Sequence, residues 1–153
     1  MSVHELHREQ VVARPLDEVF DFFSRAGNLK LLTPPQMRFE MITPEPIAMH
    51  VGTLIEYRLR VHGLPLRWIS RIEEWDDGRR FADRQVRGPY KLWLHSHEFE
   101  AVPEGTKVSD RVRFELPLGL LGELGGLPLV RRDLARIFDY RRAAVAKLLG
   151  STP

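Results

Sequence analysis

Cysteine is absent from this chain of 153 residues, which excludes disulfides and thiolate chemistry. That absence suits a reducing compartment, and a cytoplasmic location is the expectation. No apolar run reaches the length of a membrane span, and the N-terminus has no signal-peptide pattern, so no integral membrane association is expected. Lysine is scarce, with 4 against 19 arginines, and the net charge is only +2. The arginines are spread along the chain, so no nucleic-acid partner is expected. Arg131, Arg132, Arg136, Arg141 and Arg142 gather near the C-terminus and read as the solvated face of a helix. A Gly-x-Ser-x-Gly elbow, a P-loop, a dinucleotide fingerprint and paired-cysteine motifs are all missing. There is no internal repeat and no low-complexity linker. With 43% apolar residues, 1–153 is expected to form one domain around one core.

What the chain does contain is a run of alternating segments between helical ones. His4 to Val12 reads as a strand. Pro15 opens a helix with Leu16, Val19, Phe20 and Phe23 on one side. Asn28 to Leu32 reads as a short second helix, ended by Pro34-Pro35. Strands are predicted over Met37–Ile42, Thr53–Val61, Leu64–Trp75, Arg80–Gly88, Lys91–Val102 and Thr106–Leu116. A Gly- and Leu-rich stretch follows from Pro117 to Pro128. The last element is a helix from about Leu129 to Leu149, with Val130, Leu134, Ile137, Phe138, Val145 and Leu148 at helical spacing and Gly150 as a stop. Seven antiparallel strands and one long helix make an α+β protein, with the helix covering the sheet.

The richest segment is the hairpin from Arg80 to Glu100. Successive strand side chains point to opposite faces, so Trp93, His95, His97 and Phe99 share one face and Glu98 and Glu100 the other. A three-residue loop at Pro89-Tyr90-Lys91 would set Phe81 opposite Phe99, Asp83 opposite His97 and Gln85 opposite His95. A two-residue turn at His62-Gly63 pairs Tyr57 with Trp68 and Ile55 with Ser70. A turn at Asp76–Arg79 pairs Ile72 with Asp83, Ser70 with Gln85 and Trp68 with Arg87. A turn at Pro103–Thr106 pairs Phe99 with Asp110, His97 with Val112 and His95 with Phe114, and puts Glu98 opposite Arg111 on the outer face. Hydrogen-bonding groups bracketed by aromatics on a core face are costly to bury without partners. A cavity that holds a ligand between sheet and C-terminal helix accounts for them.

The expected ligand-binding set is therefore Tyr57, Trp68, Ser70, Asp83, Gln85, Arg87, Trp93, His95, His97, Asp110 and Phe138. His95, His97 and Asp83 are also the candidates for catalysis, because imidazole titrates near neutrality and a carboxylate orients it. The plain alternative is a static network in which Asp83, Gln85 or Asp110 ties up each imidazole. Two histidines at i, i+2 could also ligate a metal with Asp83 or Asp110, yet no third and fourth ligand is spelled out by spacing. No metal and no cofactor is assigned. Of the six serines only Ser70 faces the site, and a Ser70–His95–Asp83 relay has no oxyanion hole beside it.

Several stretches carry a family resemblance. They are Ala13-Arg14-Pro15-Leu16-Asp17-Glu18-Val19-Phe20, Asn28-Leu29 with Leu32-Thr33-Pro34-Pro35, Phe81 to Gln85, Gly88-Pro89-Tyr90, Trp93 to Phe99, and Ile137 to Arg141. In these and in element order the chain resembles the START / polyketide cyclase / Bet v 1-like (SRPBCC) superfamily, in its bacterial cyclase-dehydrase-like branch. The resemblance implies a helix-grip fold, a curved sheet wrapped around the long C-terminal helix with two short helices after the first strand. It also implies an internal cavity for a lipid, polyketide-like or aromatic molecule. The expected function is carriage or sensing of such a hydrophobic or amphipathic ligand. The alternative is a cyclase, dehydratase or isomerase using His95 or His97 for proton transfer; a third is an interaction module meeting a partner through its basic helix. Monomer and dimer are both open. The expected door to the cavity is Leu116 to Leu129, with its leucines at 118, 120, 121, 124 and 127, together with the loop from Thr43 to Gly52.

Overall fold

In the computed structural model, residues 2–150 are described, apart from the side chains of Leu120 and Leu121. The expected span 1–153 runs past these residues at both ends, and those two leucines of the expected door lie outside the described side chains. The elements in order are β1 (His4–Val12), α1 (Leu16–Ser24), α2 (Leu29–Leu32), β2 (Glu40–Met41), β3 (Leu54–Val61), β4 (Leu64–Asp76), β5 (Arg80–Arg87), β6 (Leu92–Val102), β7 (Gly105–Glu115), α3 (Gly119–Gly125) and α4 (Leu127–Leu149). The seven strands form one open antiparallel sheet in the order β1-β7-β6-β5-β4-β3-β2. This is the helix-grip arrangement, with α4 laid across the concave face. No helix among the described residues is long and apolar enough to cross a membrane.

The core has two halves along α4. Toward its C-terminal end Val145 meets Val19, Phe20 and Phe23 of α1 and Phe81, Phe99 and Val108 of the sheet. Toward the middle Leu134 and Phe138 meet Trp68, Trp93, Val112 and Phe114. The helix also clasps the outermost strand. Arg8 pairs with Asp139 at 2.7 Å, Arg142 donates to the Glu9 carbonyl at 2.8 Å, and Gln10 donates to the Arg142 carbonyl at 2.9 Å.

The turns decide which residues face this core. His62 and Gly63 have φ of 50° and 79°, both in the left-handed region that a tight two-residue hairpin turn requires. Tyr57 accordingly pairs with Trp68 and Ile55 with Ser70, as expected. Pro103 and Glu104 also form a two-residue turn, shorter than expected, because Gly105 joins β7 with φ 142° opposite Val102. A Cβ there would lie 2.1 Å from the Val12 carbonyl, so only glycine fits. The pairing therefore moves by two residues. His97 faces Asp110, His95 faces Val112 and Phe99 faces Val108.

The β5–β6 pairing moves by two as well, setting Phe81 opposite His97 and Asp83 opposite His95. The ladder stops at Arg84 and Leu94, and the side chain of Gln85 holds the wider loop, donating to the Tyr90 carbonyl at 2.7 Å and accepting from its N–H at 3.1 Å. The Glu98–Arg111 pair does not form. Glu98 lies opposite Ser109 and meets Arg80 at 3.4 Å, while Arg111 meets Glu5 at 2.9 Å.

Three further expectations are corrected. The predicted strand Met37–Ile42 shrinks to β2, because a 3₁₀ turn occupies Pro35–Met37 and Arg38 takes a left-handed φ of 49°. The Gly/Leu stretch holds a helix, α3, and α4 begins at Leu127. A bulge between Ile69 and Ser70 sets Arg87 opposite Ile69 instead of Trp68. One inserted residue turns a side chain to the other face, and Arg87 is exposed.

Candidate functional site

Between the concave sheet, α2 and α4 lies a cavity of about 560 Å³, within the usual range for small-molecule sites. Its aromatic wall is built on β3, β4 and β6. Tyr57 stacks on Trp68 with an 11° angle between rings, and Trp68 meets Trp93 edge-on at 5.4 Å. The Trp68 indole N–H donates to Ser70 Oγ at 2.9 Å, which satisfies the one polar atom of that ring. Burial pushes the Tyr57 and Tyr90 hydroxyls above their ordinary range, so both stay neutral donors. Leu134, Ile137 and Phe138 close the cavity from α4.

The polar end of the wall is one connected cluster. His95 and His97 stand two residues apart on β6, with ring centroids 3.8 Å apart and nearly parallel. His95 Nε2 donates to Asp110 Oδ1 at 2.8 Å, and His97 Nε2 donates to Asp83 Oδ2 at 3.0 Å. His97 Nδ1 lies 3.3 Å from Asp110 Oδ1 but forms no aligned hydrogen bond. Arg141 on α4 donates to the same Asp110 oxygen at 3.3 Å, its guanidinium 5.2 Å from the Phe23 ring centre.

Electrostatics separate the two imidazoles. Burial depresses His95, the charge of His97 depresses it further, and together these outweigh its bond to Asp110. Burial opposes the charge on His97 too, but the carboxylates of Asp110, 3.3 Å from Nδ1, and Asp83, hydrogen-bonded to Nε2, raise its pKa. Burial opposes ionisation of Asp110, yet Arg141 and the two histidines hold it well below the carboxylate range. Asp83 is lowered in the same sense, chiefly through its hydrogen bond from His97. The two carboxylates thus face the Arg141 guanidinium and His97, the imidazole that takes a proton more readily, while His95 favours its neutral form. Because His95 Nε2 carries the hydrogen given to Asp110, Nδ1 carries the lone pair.

Of the residues expected at the site, Tyr57, Trp68, Ser70, Asp83, Trp93, His95, His97 and Phe138 line the cavity. Asp110 lies behind the histidines as their support. Gln85 is turned to the Tyr90 backbone, and Arg87 is exposed. Ser70 takes the Trp68 hydrogen and His95 is bonded to Asp110 instead of Asp83, so a Ser70–His95–Asp83 relay does not assemble. Arg141, read from sequence as part of a solvated face, is only 8% exposed and lines the cavity. A signal for it existed: Leu134, Phe138, Arg141 and Val145 follow the 4-3-4 spacing of a buried helix stripe.

Residues 3–150 match the family described as polyketide cyclase / dehydrase and lipid transport. The chain belongs to that family. No curated protein matches the sequence. Among solved structures, the chain is similar to the aromatase/cyclase Zhui from Streptomyces sp. R1128, at 17% identity and TM-score 0.75, covering 94% of this chain and 92% of that one. It is also similar to protein CV1439 from Chromobacterium violaceum, at 16% identity and TM-score 0.72, covering 99% and 100%. A ginseng major latex-like protein from Panax ginseng aligns at 14% identity and TM-score 0.64, covering 92% and 96%. At such identities the likeness is one of fold, and the polyketide cyclase / dehydrase and lipid transport membership rests on the family match.

Proposed function

We propose that the protein binds a hydrophobic or amphipathic small molecule, of lipid, polyketide-like or aromatic type, in the cavity between sheet and α4, as a carrier or sensor. The observation that carries this reading is a cavity of about 560 Å³ whose wall is predominantly aromatic and aliphatic, with a polar cluster at Asp83, His95, His97 and Arg141. An apolar body fits against Tyr57, Trp68, Trp93 and Phe138, and a polar group meets the cluster around His95. The family description, which joins cyclase chemistry with lipid transport, supports a cargo of this kind.

The test is binding of 1-anilinonaphthalene-8-sulfonate, with native mass spectrometry of the protein as purified. A single saturable site is expected, and Ile137→Trp, which fills the cavity from α4, should abolish it while circular dichroism stays unchanged. Equal binding in that variant would place the probe elsewhere and count against the cavity.

A second reading is a cyclase, dehydratase or isomerase, and the lone pair on His95 Nδ1 favours it. A neutral imidazole held in one tautomer by a carboxylate is equipped to take a proton from a bound substrate. Under that reading His95→Gln removes turnover of a substrate and leaves its binding within a few-fold, whereas a pure carrier shows no turnover to lose.

A further inference from the structure

We propose that Asp83, His95 and His97 form a binding site for a divalent first-row transition metal at the polar end of the cavity. One ligand atom from each of these side chains lies within 4.8 Å of the others. Ligands of a tetrahedral zinc stand about 3.4 Å apart, given bonds of roughly 2.0–2.1 Å. Asp83 Oδ2 and His97 Nε2 are already 3.0 Å apart; a cation between them takes the place of the Nε2 hydrogen, which is released on binding, and His95 turns inward to join them. The third ligand comes from the neighbouring strand, across the Asp83–His95 pairing of β5 and β6. Spacing along one strand could not reveal it.

The surroundings are those of a metal site. Asp110 takes the Nε2 hydrogen of His95 at 2.8 Å, which leaves Nδ1 to coordinate. A carboxylate behind a ligating imidazole is the usual outer support of such sites. Asp110 is itself held by Arg141 at 3.3 Å, so the support is fixed from α4 as well as from the sheet. The ligands stand on the paired strands β5 and β6, and all three line the cavity, so the remaining coordination positions open toward it. Two imidazoles and one carboxylate, with no thiolate in the chain, suit zinc, iron(II) or manganese(II) better than copper(I). A bound cation would offer an oxygen-bearing cargo a Lewis acid in place of a hydrogen-bond donor.

The inference adds to the cavity reading and can fail without it. Chelator-dialysed protein is titrated with zinc chloride by calorimetry and with cobalt(II) by visible absorption, and probe binding is measured on the same zinc-free sample. One zinc per chain is expected, with cobalt bands of low coordination number. His97→Gln and Asp83→Asn should each abolish the site, and Asp110→Asn should weaken it about 10–100-fold. Zinc should raise the Tm of the wild type and leave that of Asp83→Asn unchanged, which separates lost ligation from lost folding. No stoichiometric site, or one that survives His97→Gln with affinity changed less than about threefold, overturns the inference, because the metal would then sit on surface histidines. Probe binding without zinc binding removes only the metal; zinc binding without probe binding removes only the cavity reading.

Discussion

Phe138→Ala is expected to lower folding stability by about 3–5 kcal/mol, nearer the smaller figure. The ring is 6% exposed and packs against Trp68, Trp93, Val112 and Phe114 across the helix–sheet interface. It also meets the His95 ring edge-on at 5.7 Å. Truncation loses those dispersion contacts. Part of the ring already borders the cavity, so less packed surface disappears than in a solid core. For a chain of this size the loss corresponds to a fall in Tm of roughly 10 °C. Urea unfolding monitored by tryptophan fluorescence measures it. A change under about 1 kcal/mol would mean that α4 is held to the sheet by something other than this ring.

The second large effect is expected at Arg141. Replacing it with methionine keeps most of the volume but leaves Asp110 buried against one fewer cation. Removing one partner of a buried pair costs about 3–5 kcal/mol, and His97 nearby keeps this case toward 3. Arg141→Met combined with Asp110→Asn should recover part of that loss, since the charge left stranded by the first change is removed by the second. Both variants are compared by urea denaturation. If Arg141→Met alone costs under about 1 kcal/mol, the guanidinium is a bystander to the cluster.

Faces were easier to read from the sequence than partners. Both hairpins that contribute β6 moved by two residues, at Gln85–Tyr90 and at Pro103-Glu104. Because side chains alternate with a period of two, His95, His97 and Asp83 kept their face although their partners across β5–β6 and β6–β7 changed; Asp83 kept Ile72 as its partner on β4. Arg87 was lost for the opposite reason. A bulge at Ile69–Ser70 is a one-residue event, and nothing in the local residue types announced it. Gln85 left the site because its amide matches a backbone N–H and C=O in the loop beyond it, a tertiary fit invisible to periodicity. Arg141 was legible in principle, but its charge outweighed its spacing among Leu134, Phe138 and Val145. The Gly/Leu stretch showed a further conflict. No helix was assigned to it from its residues, yet Gly119–Gly125 is helical, and a Cβ at Gly122 would lie 2.2 Å from the Pro117 carbonyl. That glycine serves a close backbone approach.

The clasp between α4 and β1 bears on how molecules of this protein behave in a crowd. An open sheet has two margins, each a potential template for a strand from another molecule. At the β1 margin, the Arg142 guanidinium occupies the Glu9 carbonyl, and Glu5, Arg8 and Glu9 place charge along the strand. At the other margin β2 is only two residues long, too short to seed a ladder. The contacts that seat the helix over the cavity therefore also blunt the edge of the sheet, and they guard against strand-to-strand aggregation while the concave face stays open to a guest.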